Sequence, residues 1–251
     1  MLVLHGIFGS GKNWLPVTRQ VVERRPDWGA VLVDLPEHGR STGLGGEFTL
    51  ERCAHDLREL GRHASLHVEA VMGHSFGGKV ALTLAKMDPP ALEQVWVIDS
   101  SLDALDEPRG DGWMMFMLLR RLPTEFASRD EAIGAMTSFG VSTPVAQWMV
   151  MNLERRGDRF AWRMDLDHIE SLLRSYYAAD LWDAIEKPRG GQRVHIVKAT
   201  DSPHIGEEPC GRIEAAGRAT GRVELHRVAG GHWLNVDNPQ AMIELISARL
   251  P

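Results

Sequence analysis

Short, largely apolar runs alternate along this chain with longer stretches whose apolar residues recur every three or four positions. Residues 2–4, 30–33, 68–72, 95–98, 195–198 and 223–228 make up the first class. Runs this short and this apolar, bounded by turn residues, predict strands covered on both faces, as in a parallel sheet. Residues 14–23, 50–62, 79–86 and 240–249 make up the second class and predict helices. Strand and helix taking turns predicts an α/β fold, a three-layer α/β/α arrangement around a mostly parallel sheet.

The rhythm breaks between Leu102 and about Ala184. Helical patterns at 113–122, 131–139, 145–153 and 169–177 follow one another there without an intervening strand signal. This predicts a helical cap, residues 102–184, inserted into a core made of residues 1–101 and 185–251. The insertion is rich in Met and Trp, among them Met114, Met115, Met117, Trp148, Met149 and Met151. Such residues form either a pliable apolar wall over a pocket or ordinary helix packing.

The sharpest chemical signal is Gly73-His74-Ser75-Phe76-Gly77-Gly78, set directly after one predicted strand and before a predicted helix. A serine projecting from so tight a strand-to-helix turn needs small neighbours two residues away on either side, and glycines 73 and 77 supply them. The start of the helix points its positive end at Ser75, which favours an oxyanion there. A nucleophilic serine needs a base, because its hydroxyl is protonated at neutral pH. Of the 11 histidines, His232 in Ala229-Gly230-Gly231-His232-Trp233 follows the last strand and precedes the last helix. That places it at the carboxyl edge of the sheet, where functional groups of open parallel sheets collect. His74, His38 and His5 are weaker candidates. The acid that orients the imidazole is Asp99, at the end of Val95-Trp96-Val97-Ile98, or alternatively Asp201, after Val197-Lys198-Ala199-Thr200. An oxyanion hole is expected from the amides of Phe76 and Ile7, with Phe8 in reserve for Ile7. Gly6 to Asn13 also reads G-x-x-x-x-G-K-N, but Asn13 stands where a phosphate-binding loop needs Ser or Thr to hold magnesium.

Composition narrows the partners. The hydrophobic fraction is 43%, the charged fraction 25% and the formal net charge −6. That balance suits a globular protein with no broad attraction to nucleic acid or anionic membranes. Cys53 and Cys210 stand far apart and lack the spacing of a metal site, so neither a disulfide framework nor bound metal is expected, and a reducing cytoplasmic setting is. The amino terminus shows no export signal and no stretch is long and apolar enough to span a bilayer.

Taken together, His5-Gly6, the segment Asp34-Leu35-Pro36-Glu37-His38-Gly39-Arg40-Ser41, Gly73 to Gly78 and Gly231-His232 make the chain resemble the α/β-hydrolase superfamily over nearly its whole length. The resemblance implies a Ser, acid and His triad, a cap before the family's seventh strand, and hydrolysis of an acyl ester or thioester, a small-molecule substrate, without a cofactor. It favours Asp99 over Asp201, because Asp201 falls one residue early for the usual acid after the seventh strand and Asp99 matches a branch that uses the sixth. The chain opens at the family's third strand, which implies a sheet of about six strands with an exposed edge, or a start upstream of Met1. A non-catalytic ligand-binding protein of the same fold is the alternative from another class.

Overall fold

A computed structural model describes residues 1–87 and 89–251. In chain order it contains β1 (Leu2–Leu4), α1 (Leu15–Arg24), β2 (Val31–Val33), α2 (Leu50–His63), β3 (Ala70–His74), α3 (Phe76–Lys86) and β4 (Gln94–Ile98). The middle of the chain contributes α4 (Asp111–Leu119), β5 (Glu125–Phe126), α5 (Arg129–Ser138), α6 (Thr143–Met149), β6 (Leu153–Arg156), β7 (Arg159–Trp162), α7 (Leu166–Ala178) and α8 (Trp182–Glu186). It closes with β8 (Arg193–Ala199), α9 (Glu207–Thr220), β9 (Val223–Val228), α10 (Leu234–Asp237) and α11 (Pro239–Arg249).

Six strands pair in parallel in the order β2-β1-β3-β4-β8-β9, so the α/β/α architecture and the strand count agree with the sequence reading. Alternation of side chains along each strand divides the core in two. Val3, Met72, Trp96, Ile98 and Val197 pack beneath α1 and α11, whereas Leu4, Val71, Val95, Val97 and Ile196 pack on the opposite side with α2, α3 and α9. Strand order reverses between β1 and β3, the neighbours in the sheet from which the chain leaves in opposite directions. A crevice therefore opens beyond their carboxyl ends. Helix starts are set by side-chain caps: Thr49 accepts from the Arg52 amide, Ser128 from Glu131, and Asn238 from Ala241. Each such cap stabilises its helix by about 1 kcal/mol.

Two expectations need correction. The apolar run expected to begin a strand at Val68 starts pairing only at Ala70 and continues through His74, because parallel pairing with β4 runs from Gln94 to Ile98. More substantially, the segment 102–184 is not purely helical. It holds an antiparallel sheet in the order β5-β7-β6, with β6 and β7 joined by a tight hairpin at Gly157, whose φ is +63°. Glu154, Arg155, Arg156 and Arg159 gave that stretch no strand-like apolar face in sequence. Its buried positions, Leu153, Ala161 and Trp162, gain their cover only from neighbouring helices and from Phe126.

The two ends of this segment are stitched together over α3. The Leu105 amide bonds to the Tyr177 carbonyl and the Leu181 amide to that of Leu102. Lys79, only 1% exposed, donates from Nζ to the carbonyls of Asp103, Tyr176 and Ala179 at 2.7, 2.9 and 2.7 Å. Burial lowers its pKa to about 8, although Asp103 and Asp180 pull the other way. A buried ammonium with all three protons donated is a strong tie, and this one joins the helix after Ser75 to both ends of the insertion.

Candidate active site

Ser75 sits between β3 and α3 with φ +52° and ψ −115°, a conformation that few non-glycine residues adopt. The turn is possible because of what stands beside it. A Cβ on Gly73 would lie 1.9 Å from the Gly77 carbonyl oxygen, and one on Gly77 would lie 2.6 Å from that of His5. The Ser75 amide is tied to Ile98 of the adjacent strand at 2.9 Å, which holds the bend against the sheet. Non-glycine residues with positive φ cost free energy and persist where surrounding structure over-determines them. Asp99, with φ +46°, is a second such residue and lies just past the neighbouring strand.

Asp99 is completely buried, and its carboxylate is the point where three loops meet. Oδ1 accepts the Ala199 amide at 3.0 Å, and Oδ2 faces His232 Nδ1 at 2.7 Å. The Ser202 hydroxyl adds a further hydrogen bond. Burial works against ionisation, but the bonds from His232, Ser202 and Ala199 outweigh it and hold the carboxyl below its usual range. Asp201, the other aspartate singled out in sequence, points elsewhere: it is exposed, and its Oδ1 accepts from the neighbouring Thr200 hydroxyl at 3.0 Å. Of the two, Asp99 is thus the one against the imidazole.

His232 follows β9 in a loop, half-buried. Its carbonyl accepts from His74 Nε2 at 2.8 Å, and the His74 ring, whose pKa burial lowers to about 3, packs 4.5 Å away. With Nδ1 on Asp99, the other ring nitrogen is the one left to meet a substrate or a hydroxyl. Ile7, Ser75, Phe76 and His232 line one cavity of about 1380 Å³. The amides of Ile7 and Phe76 have no hydrogen-bond partner among the described residues. The reserve candidate Phe8 is excluded, since its amide donates to His38 Nε2 at 3.0 Å. The phosphate-loop reading of Gly6 to Asn13 also fails on this ground: the Gly11 amide already bonds to Asp34 Oδ1 at 2.8 Å.

Sequence reasoning missed three neighbours. His204 packs against His232 with ring centroids 4.0 Å apart and the rings tilted by 42°. Tyr176 of α7 is largely buried, with its hydroxyl interacting with the side chains of Ser100 and Ser75; burial raises its pKa despite those partners. Lys79 is the anchor that keeps this helix in place. None of the three carries a local motif, and only Ser202-Pro203-His204, a turn after a strand, offered a signal at all. Asp99, His204 and His232 also offer one ligand atom each within 4.8 Å of one another, but the first and last are already bonded to each other.

Away from this polar floor the cavity is mostly apolar, with Trp113, Met115, Leu118, Val145, Trp148 and Trp233 among its walls, though Arg109, Asp111 and Arg121 line it as well. Met114, Met117, Phe139 and Val236 line it too and remain largely exposed, Met114 at 68%. No described helix is long and apolar enough to cross a membrane.

The sequence matches the alpha/beta hydrolase family over residues 1–245. Among curated proteins it is similar to the sn-1-specific diacylglycerol lipase ABHD11 of Danio rerio, with 25% identity over 98% of this chain and 76% of that protein. Esterase Rv0045c of Mycobacterium tuberculosis is 28% identical over 98% of this chain and 80% of its own length. Among solved structures, a marine microorganism esterase superposes with a TM-score of 0.84 at 22% identity, covering 99% of this chain and 94% of the other.

Proposed function

The chain belongs to the alpha/beta hydrolase family, in the company of relatives named lipase and esterase, and on that premise we propose that it hydrolyses a carboxylic ester or thioester with an apolar acyl part of small to medium length, through an acyl-enzyme on Ser75. The observation that carries this reading is the 2.7 Å contact of His232 Nδ1 with the buried Asp99, in the same cavity as a serine held at φ +52°.

The steps follow from these positions. His232 Nε2 takes the Ser75 proton as Oγ attacks the substrate carbonyl carbon, and the carbonyl π pair moves to oxygen. The amides of Ile7 and Phe76, with the positive end of α3, stabilise that oxyanion. Collapse of the tetrahedral intermediate expels the alcohol or thiol, which leaves with the proton from His232. A water then gives a proton to His232 and attacks the acyl carbon, releasing the carboxylic acid and restoring the serine. Asp99 stays ionised, keeps Nδ1 protonated and stabilises the imidazolium while it exists.

The apolar walls support an acyl group, because each methylene taken from water contributes about 0.8 kcal/mol to binding. An active-site-directed fluorophosphonate should label the wild type and leave Ser75→Ala unlabelled, with hydrolysis of a p-nitrophenyl ester down by roughly ten-thousandfold in that variant. Equal labelling of both would reject the reading.

A further inference from the structure

On the sheet face beneath α11, remote from the carboxyl edge, lies a cluster that the proposed hydrolysis does not use. Parallel pairing sets His195 of β8 beside Glu224 of β9, and His226, two residues further along β9, shares that face. His195 Nδ1 and His226 Nε2 are 3.1 Å apart, and His226 Nε2 lies 3.8 Å from a Glu224 carboxylate oxygen. One ligand atom from each residue falls within 4.8 Å of the other two. We propose that His195, Glu224 and His226 form a site for a divalent transition-metal ion, Zn²⁺ or a neighbour in the series, that clips edge strand β9 to β8.

The geometry suits such an ion. Ligands at about 2.0–2.1 Å in a tetrahedron stand roughly 3.3 Å from one another, so the two imidazoles are already spaced for it and the carboxylate needs only a small swing. Two imidazoles and a carboxylate, with a fourth position left to water, are a donor set that Zn²⁺, Ni²⁺ and Cu²⁺ accept. The rings are held in place beforehand. Trp96 stacks on His195 at 4.1 Å and 16°, and the two histidine rings lie within 24° of parallel. His195 is 2% exposed and its Nε2 has no hydrogen-bond partner, so the facing His226 is its polar contact. Burial also keeps both imidazoles in the neutral form whose lone pair binds metal. Glu224, whose side chain is 36% exposed, leaves an entry from solvent, whereas the His226 ring is largely covered at 11%. Charge opposes the ion from two sides: Arg249 of α11 holds Glu224 at 2.5 Å, and Arg193 stands nearby on β8. The guanidinium of Arg249 competes with metal for the same carboxylate.

Calorimetric titration of Zn²⁺ into the full chain, stripped beforehand with chelator, tests the site. Wild type should take up one ion per chain at this site, His226→Ala and Glu224→Gln should bind it at least tenfold more weakly, and Arg249→Gln should bind it several-fold more tightly. Cu²⁺ should quench tryptophan emission in wild type through Trp96 and do so less in His226→Ala. His226 is partly exposed on an edge strand, and circular dichroism of that variant checks its fold, while the gain in Arg249→Gln needs no loss of structure to be read. Affinity unchanged by His226→Ala and Glu224→Gln overturns the proposal. So does a tight site that disappears only in His204→Ala, which would place the ion at Asp99, His204 and His232 instead.

Discussion

The carboxyl rim of the sheet and the insertion that faces it are built on opposite principles. At the rim, position is set by backbone: Ser75 and Asp99 both occupy positive φ, and main-chain amides of Ser75, Asp99 and Ala199 tie adjacent strand ends together. In the insertion, main-chain bonds close its own small sheet and join its two ends, but its place over the core is set by side chains, through apolar contacts and Lys79. Methionines with several rotatable bonds face the cavity from this side. On the proposed hydrolysis the difference suits the two tasks: reacting groups have to be held to fractions of an ångström, and an acyl-binding wall gains from side chains that can adapt.

The contrast breaks most sharply at the aspartates. Asp99→Asn should lower kcat for ester hydrolysis by a thousandfold or more, on the order of 4 kcal/mol or above, while Asp201→Asn stays within about twofold. Steady-state kinetics on one chromogenic ester decides between them, and the reverse ranking would remove Asp99 from the mechanism. Next in size is the tie between rim and insertion. Lys79→Met keeps the side chain's length but takes the donor from three carbonyls, that of Tyr176 buried and those of Asp103 and Ala179 partly so, and should cost about 2–4 kcal/mol by urea unfolding. Because Tyr176 loses its anchor, kcat should fall more than KM changes.

Acid tests the rim, together with His195 of β8, whose pKa burial lowers to about 3. His5, His38 and His74 are buried, and burial lowers their pKa values to about 4, 3 and 3. In the unfolded chain they titrate near 6.5. Below that pH the unfolded state binds protons that the folded state refuses, so stability is intact above about 6.5 and is lost progressively as pH falls towards 3–4. Each group contributes a slope of up to about 1.4 kcal/mol per pH unit. Unfolding midpoints that stay level from pH 7 to 5 would contradict this environment for the three rings. The smallest effect belongs to the wall. Met114→Ala should change stability by less than about 0.5 kcal/mol, since the residue is 68% exposed, yet raise KM several-fold for longer acyl esters and little for acetate.

Local order determined a large part of this protein. The six strands, the helices between them, the glycine-flanked Ser75 and the loop position of His232 were all legible, because period and steric need are properties of neighbouring residues, although the edge strands β2 and β9 are only partly covered. The resemblance favoured Asp99 over Asp201, but local order did not separate them, since both end a strand in the same way and only the arrangement of β4, β8 and the His232 loop puts one of them against the imidazole. The hairpin at Gly157, the grip of Lys79 on three carbonyls and the approach of Tyr176 to Ser75 were equally hidden. Each joins residues tens of positions apart, or draws its burial from other elements, and contacts of that kind exist only once the chain has closed on itself.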